Sequence, residues 1–267
     1  MAAVAVDRAK TEEAFLDLTA QLGEMLRAAG ADTSTKLPRS AWSVAEAASH
    51  LVIAGRFFCE LAAGANAFYA EGTREALAEV NASKLQAFTD HDGAHLADAL
   101  DEVARSFLTA AAGRPGTMAV KTPMGGMDLD TLRSYVMTHT MIHGYPLARA
   151  LGRGLQIPDG YVTLALPFLV AAMTAVVDGS AVGGLNASYL VHLRGGPSLG
   201  ITFDHGALRV NEPAGRVDCH LSADPVAFFL VAMGLQSQWA AIARGKMVAW
   251  GTKPWLAFRL VGYFAVP

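Results

Sequence analysis

Three of the eight histidines in the chain have the types and spacing of a chelate. His139 and His143 lie four residues apart in the run Tyr135-Val-Met-Thr-His-Thr-Met-Ile-His143. On a helix that separation stacks two imidazoles one turn apart on the same face. Leu132, Tyr135, Val136 and Ile142 share that face, so it turns inward. His50 closes the run Trp42-Ser-Val-Ala-Glu-Ala-Ala-Ser-His50 on an earlier helix, from which it can meet the pair across an antiparallel bundle. Three neutral imidazoles suit zinc, nickel, copper or iron, and a three-ligand shell leaves positions open for water or substrate. Glu46, one turn before His50, is a candidate acceptor behind that imidazole. Inward histidines are also common as satisfied core residues, so spacing alone leaves both readings open. His91, His95, His192, His205 and His220 fall near predicted turns or strands and are expected to be exposed or structural. His91 and His95 share the four-residue spacing, but across a glycine that weakens a helix there.

The elements that must carry these residues are helical over the first part of the chain. Asp7 to Ala29 is amphipathic, with Phe15, Leu16, Leu18, Leu22 and Leu26 at helical spacing. Ser40 or Ser43 is the candidate N-cap of a second helix running to Ala63, and Ser43 with Glu46 has the capping-box spacing. A third helix is predicted from Thr73 to Phe88, broken by His91-Asp-Gly-Ala-His95, and a further one from His95 to Ala112. A turn around Met124-Gly-Gly-Met127 precedes the last, about Asp128 to Leu151. Four long antiparallel helices make residues 1–155 a four-helix bundle.

Residues 156–267 read as a second domain of α+β type. Tyr161 to Val177 is a nearly uncharged run shorter than the roughly 20 residues of a membrane span. Pro167 interrupts it, and a buried core helix is expected rather than membrane insertion. From Leu185 the pattern changes to strands in Ser188–Arg194, Leu199–Gly206, Ala207–Pro213 and Arg216–Ala223. Helices follow from Asp224-Pro225, from Gln236 to Arg244 and from Pro254 to Phe264. The expected fold class is therefore a helical bundle followed by a small antiparallel sheet covered by helices.

Composition narrows the function classes. With 52% hydrophobic and 17% charged residues there is ample material for a large core. A net charge of −3 favours neither nucleic acid nor an anionic membrane surface. Cys59 and Cys219 show no metal-ligand spacing, and the first residues lack a secretory pattern, so a reduced, cytoplasmic protein is expected.

Two longer motifs carry a resemblance. Trp42-Ser43-Val44-x-Glu46-x-x-x-His50-Leu51 is followed by His139-x-x-x-His143-Gly144-Tyr145-x-Leu147-Ala148-Arg149-Ala150-Leu151-Gly152. Together they resemble the actinobacterial DinB-like proteins grouped with mycothiol-dependent maleylpyruvate isomerase. Ala223-Asp224-Pro225-x-Ala227-Phe228 and Ala241-Ile242-Ala243-Arg244-Gly245-Lys246 look like that family's second domain, similar to sterol carrier protein 2. The resemblance spans essentially the whole chain. It implies a divalent metal, usually zinc, held by His50, His139 and His143, with mycothiol bound as cosubstrate between the two domains. The partners implied are a low-molecular-weight thiol and a small electrophile, with the protein a monomer or homodimer. An all-imidazole shell leaves the ion its full charge, which makes it a stronger Lewis acid than a shell containing a carboxylate.

The sequence departs from the isomerase pattern at two places. Pro146 stands where the family has an acidic residue, and an expected arginine is replaced within Gly234-Leu235-Gln236. Both losses remove charges suited to a dicarboxylate, so isomerisation of maleylpyruvate is not expected. Pro146 should also kink the helix just after His143. The function expected is a metal-dependent, mycothiol-using transferase acting on a small electrophile. The rival readings are a thiol-independent hydrolase or lyase of the same fold and a hydrophobic-ligand-binding protein. Tyr145 is a candidate pocket wall or proton donor, and Asn81 a polar group able to reach the site. Arg56 either binds a cosubstrate carboxylate or pairs with Glu60 on the surface. Met118, Met124, Met127, Met137 and Met141 are expected mostly in the core, and Trp239, Trp250 and Trp255 as walls of a hydrophobic cavity or as packing.

Overall fold

The computed structural model describes residues 5–30, 32–67, 69, 76–211 and 216–265, which form two compact units, Val6–Ile157 and the stretch from Pro158 onward. In the first unit α1 (Arg8–Ala29), α2 (Val44–Ala62), α4 (Gly93–Ala111) and α5 (Leu129–Ala150) pack as a four-helix bundle. A shorter α3 (Leu77–Ala87) lies beside α2 with no buried residue. The third predicted helix is thus an appendage to the bundle. Its Leu77, Val80 and Leu85 supply too few large apolar side chains for a core layer. Residues 73–75 of that prediction lie outside the described residues.

Side-chain caps fix where the long helices begin. Ser43 Oγ accepts from the Glu46 amide at 3.2 Å, and the Ser43 amide donates to Glu46 Oε2 at 2.6 Å, a complete capping box at the head of α2. Asp92 accepts from the amides of Ala94 and His95, so the His91–His95 segment, which separates α3 from α4 as expected, also starts α4. Asp128 caps α5 through the Thr131 amide at 2.8 Å. Each such cap stabilises its helix by about 1 kcal/mol. The expected turn at Met124–Met127 is instead part of a hairpin, β1 (Ala119–Thr122) with β2 (Gly125–Asp128), paired Ala119 to Asp128 and Thr122 to Gly125. Thr122 closes it, its hydroxyl donating to the Gly125 carbonyl and accepting from the Met124 amide. Helix α5 continues to Ala150, with Pro146, the residue expected to kink it, inside the helix. Met124, Met137 and Met141 are buried.

A buried cation locks α5 to its neighbours. The Arg133 guanidinium is 4% exposed and donates to Glu12 on α1 at 2.8 Å, to Asp130 at 3.0 Å and to the Ala111 carbonyl at the end of α4 at 2.9 Å. Arg8 shares Asp130 from α1 at 2.7 Å. Because a buried charge is costly without partners, this junction permits one axial register of the three helices.

The second unit holds a five-stranded sheet in the order β5-β4-β3-β6-β7. Its strands are β3 (Ala187–Leu193), β4 (Ser198–Asp204), β5 (Ala207–Asn211), β6 (Cys219–Ala223) and β7 (Met247–Gly251). β3 and β6 run parallel, so the sheet is mixed and not antiparallel throughout. The β4–β5 hairpin intervenes in sequence, and the chain returns to the other side of β3 in the same direction. β7 is an additional strand. Its five residues, bounded by Gly245 and Gly251, are too few for a clear alternation in the sequence. The predicted closing helix is two short 3-10 helices, Pro254–Phe258 and Leu260–Tyr263. The apolar run forms α6 (Asp159–Val176), continuous through Pro167 and packed on α8 (Pro225–Ala232), with a third of its residues buried. That helix is long and apolar enough to cross a membrane by length and composition alone. α7 (Gly179–Val182) and α9 (Gln238–Ala243) complete the unit. Trp239, Trp250 and Trp255 are all exposed, so they do not wall a closed cavity.

Helices α2 and α4 pack closely at Gly55, where a Cβ would run into Val103 Cγ1. Val103 is buried and β-branched, which leaves it little room to turn away. Gly55→Ala is expected to cost about 1–3 kcal/mol from overpacking, and Val103→Ala in the same chain should recover part of the loss. Urea unfolding of the single and double variants measures both terms. An unchanged midpoint for Gly55→Ala would show that the helices separate freely.

Candidate metal centre

α2 and α5 bring His50, His139 and His143 together. Their candidate ligand atoms all lie within 4.8 Å of one another. The capping box starts α2 so that His50, two turns on, projects toward α5, and the four-residue spacing lines up the pair there. His50 Nε2 and His139 Nε2 are 3.2 Å apart. His139 and His143 ring centroids are 4.4 Å apart, and those of His50 and His143 4.5 Å. Two nitrogens bound at zinc distances to one tetrahedral ion would be about 3.3 Å apart.

Aromatic rings pack the cluster on several sides. Trp42, the residue before the α2 cap, lies 4.9 Å from the His50 ring and 6.0 Å from that of His143. Phe58 and Tyr135 meet His139 edge-on at 5.5 and 6.0 Å and touch each other at 5.0 Å. On the core side, a cavity of about 20 Å³ is lined by Thr19, Leu22, Phe58, Val136, His139 and Thr140, among others. It has room for about one water.

This environment sets protonation. Burial lowers the His50 pKa to about 4. His139 and His143 are held well below the usual histidine range, first by burial and then by the neighbouring imidazoles. All three are neutral at pH 7 and so present lone pairs, the form a transition ion requires. The donor set therefore fits a divalent ion with nitrogen preference. Neither cysteine competes as a nucleophile. Burial raises the Cys59 thiol to about 11 and also raises that of Cys219.

The other sequence candidates are placed differently. The Glu46 carboxylate is engaged by the Ser43 amide and by Lys36 at 3.3 Å, and makes no hydrogen bond to His50. Its role here is to start α2. Asn81 Oδ1 accepts from Tyr69 at 2.6 Å, and Tyr69 packs on Phe57 at 5.2 Å. Arg56 is exposed and forms no ion pair with Glu60 among the described residues. Tyr145 stands two positions after His143, about 200° around α5, and no ring contact joins it to the cluster. Trp42, Phe58 and Tyr135 are the neighbours that sequence reasoning left without a role. Trp42 could have been found from its place immediately before the cap, where a hydrophobic residue commonly fixes the approach of the chain.

The crystal structure of the mycothiol-dependent maleylpyruvate isomerase overlays on 87% of this chain and 91% of its own, with a TM-score of 0.55 and 13% identity. A histidine-to-alanine variant of that enzyme gives a TM-score of 0.56 at 12% identity over the same shares. This chain has the fold of that isomerase. At such identity the likeness is one of fold alone, a DinB-like helical bundle followed by an α+β domain. A Pseudomonas sec-alkylsulfatase overlaps with a TM-score of 0.34 at 14% identity, over 33% of its own length. No protein-family model and no curated protein matches the chain.

The shared fold leaves the protonation of the three imidazoles to this chain's own packing, and that has a pH signature. An unfolded chain takes up a proton on His50 near 6.5, whereas the folded protein resists until about 4. The ion-free protein should therefore lose stability as pH falls from about 6.5 toward 4. His50 alone contributes a loss of about 3 kcal/mol at the lower end. His139 and His143 act in the same direction. Thermal unfolding of chelator-treated protein between pH 7.5 and 5 tests this, and a constant Tm would contradict the buried neutral cluster.

Proposed function

We propose that the protein is a metal-dependent cytoplasmic enzyme that joins or exchanges a low-molecular-weight thiol, mycothiol being the leading candidate, on a small electrophile. The observation that carries the proposal is the convergence of three neutral imidazoles at chelating distance, His50 and His139 buried and His143 partly exposed, on a fold shared with a mycothiol-dependent isomerase. His50, His139 and His143 would hold the ion, and zinc suits the set best. When bound, the ion supplies Lewis acidity that lowers the pKa of a thiol or water reaching it and so provides a nucleophile near neutral pH.

The chain's own residues supply position and exclusion. Phe58 and Tyr135 pin the His139 ring edge-on, and Trp42 limits rotation of His50 and His143. The same rings keep water from the cluster's flanks, which strengthens electrostatic attraction there. The raised thiols of Cys59 and Cys219 point to a nucleophile brought from outside. The rings packed on the histidines carry no cation to bind a carboxylate, which favours a weakly charged electrophile over a dicarboxylate.

Elemental analysis of the purified protein should find a divalent transition ion that His139→Ala removes. Thermal shift with mycothiol is expected to raise Tm in the metal-loaded protein and to leave His139→Ala unmoved. A metal-loaded protein that responds to no thiol would replace this reading with the water-activating hydrolase or lyase. Absence of metal together with unchanged stability of His139→Ala would overturn both, and a co-purifying lipid would then point to hydrophobic-ligand binding.

A further inference from the structure

The end of the chain differs in character from the rest. From Gly234 to Pro267 it carries Arg244, Lys246, Lys253 and Arg259 and no acidic residue, together with three of the four tryptophans. The whole-chain charge of −3 is thus an average over a basic end and a more acidic remainder. Among the described residues, every exposed large apolar side chain except Leu16 also lies here: Trp239, Val248, Trp250, Trp255 and Phe258.

Three of these aromatics form one patch. Trp255 and Phe258 stand three residues apart on the 3-10 helix Pro254–Phe258, a spacing that eclipses side chains in such a helix. Leu256 between them is buried and anchors the turn. Trp239 on α9 stacks on Phe258 at 5.2 Å, and Gln238 Nε2 donates to the Phe258 carbonyl at 3.3 Å, so two elements hold the patch jointly. Trp239 is 60% exposed, Trp255 57% and Phe258 43%. Cations border the rings: Arg244 ends α9 and Arg259 follows Phe258. Lys246 and Lys253 are engaged by Asp224 and Asp218 at 3.5 and 3.0 Å. Arg244 and Arg259 are exposed and have no ion-pair partner among the described residues.

We propose that this patch docks on the surface of an anionic lipid bilayer. Indole rings favour the boundary between headgroups and acyl chains, and basic side chains beside them are drawn to the lipid phosphates. Trp239, Trp255 and Phe258 enter that layer, and Arg244 and Arg259 face the phosphates. Charge decides against a second copy of the chain as the occupant. A two-fold contact sets a patch on its own image, and here it would bring arginines together with no carboxylate from the same stretch between them. Three rings and two arginines make a reversible, salt-sensitive contact and not a membrane span. The patch uses no residue of the histidine cluster, so the proposal stands whether or not that cluster is catalytic.

Sedimentation with vesicles of equal parts phosphatidylcholine and phosphatidylglycerol tests the proposal, against vesicles of phosphatidylcholine alone. The parent should bind the anionic vesicles at low salt, leave them at high salt, and bind the neutral ones about tenfold more weakly. Trp239→Ala combined with Trp255→Ala should lose most of the binding with Tm unchanged, because both rings are exposed. Arg244→Gln and Arg259→Gln should each weaken binding about fivefold, the attraction of one cation, and flatten its salt dependence. Lipid brominated on its acyl chains should quench the parent's tryptophan fluorescence and quench the double tryptophan variant much less. His139→Ala should bind vesicles as the parent does, which separates this proposal from the metal site. No binding to the anionic vesicles, or equal binding by the double tryptophan variant, would overturn it. So would a dimer in light scattering that the double variant splits, or tighter binding to polyglutamate or poly(U) than to the vesicles.

Discussion

Three imidazoles packed against one another, two of them buried and with one contact of hydrogen-bond length among them, are the constraint around which the bundle is arranged. Desolvating a polar nitrogen without a partner costs about 1–3 kcal/mol. The cluster persists because other parts of the bundle leave its helices no alternative register. Arg133 ties α5 to α1 and to the end of α4, the capping box fixes the start of α2, and Gly55 admits α4 against α2. A slip of one residue in α2 would turn His50 by about 100° and dissolve the cluster.

Burial and chemistry are linked through protonation. The surroundings that desolvate the histidines also keep them neutral, and neutral imidazole is the form that binds a transition ion. An exposed trio would titrate near 6.5 and lose its ligand character in mildly acidic solution. The aromatic neighbours therefore tune the ligands as well as shaping the wall. Trp42 does both from a position just outside the helix.

The sheet brings two further imidazoles, His192 and His220, into hydrogen-bond contact by another route. On α5 a four-residue spacing aligns two imidazoles, whereas β3 and β6 align theirs by parallel register between strands nearly thirty residues apart. Helical spacing is visible in a sequence. Cross-strand register is not, because it depends on which strands become neighbours.

Local patterns of the sequence determined much of the bundle. Periodic apolar residues located the long helices, Ser43 and Glu46 announced the capping box, and His139 with His143 showed their common face. The two-part fold class was legible through the motif resemblance, and the likeness to the isomerase is one of fold. Tertiary structure decided what no local pattern encodes. Whether His50 would meet the pair depended on helix register set by the Arg133 junction. The mixed sheet arose from the placement of β6 beside β3, and β7 was too short for its alternation to stand out. Glu46 was read as a partner of His50 because both share one helix, yet its carboxylate found the nearer Ser43 amide. Short-range hydrogen bonds and periodicity are written in neighbouring residues, whereas contacts between distant segments exist only once the chain has chosen how to pack.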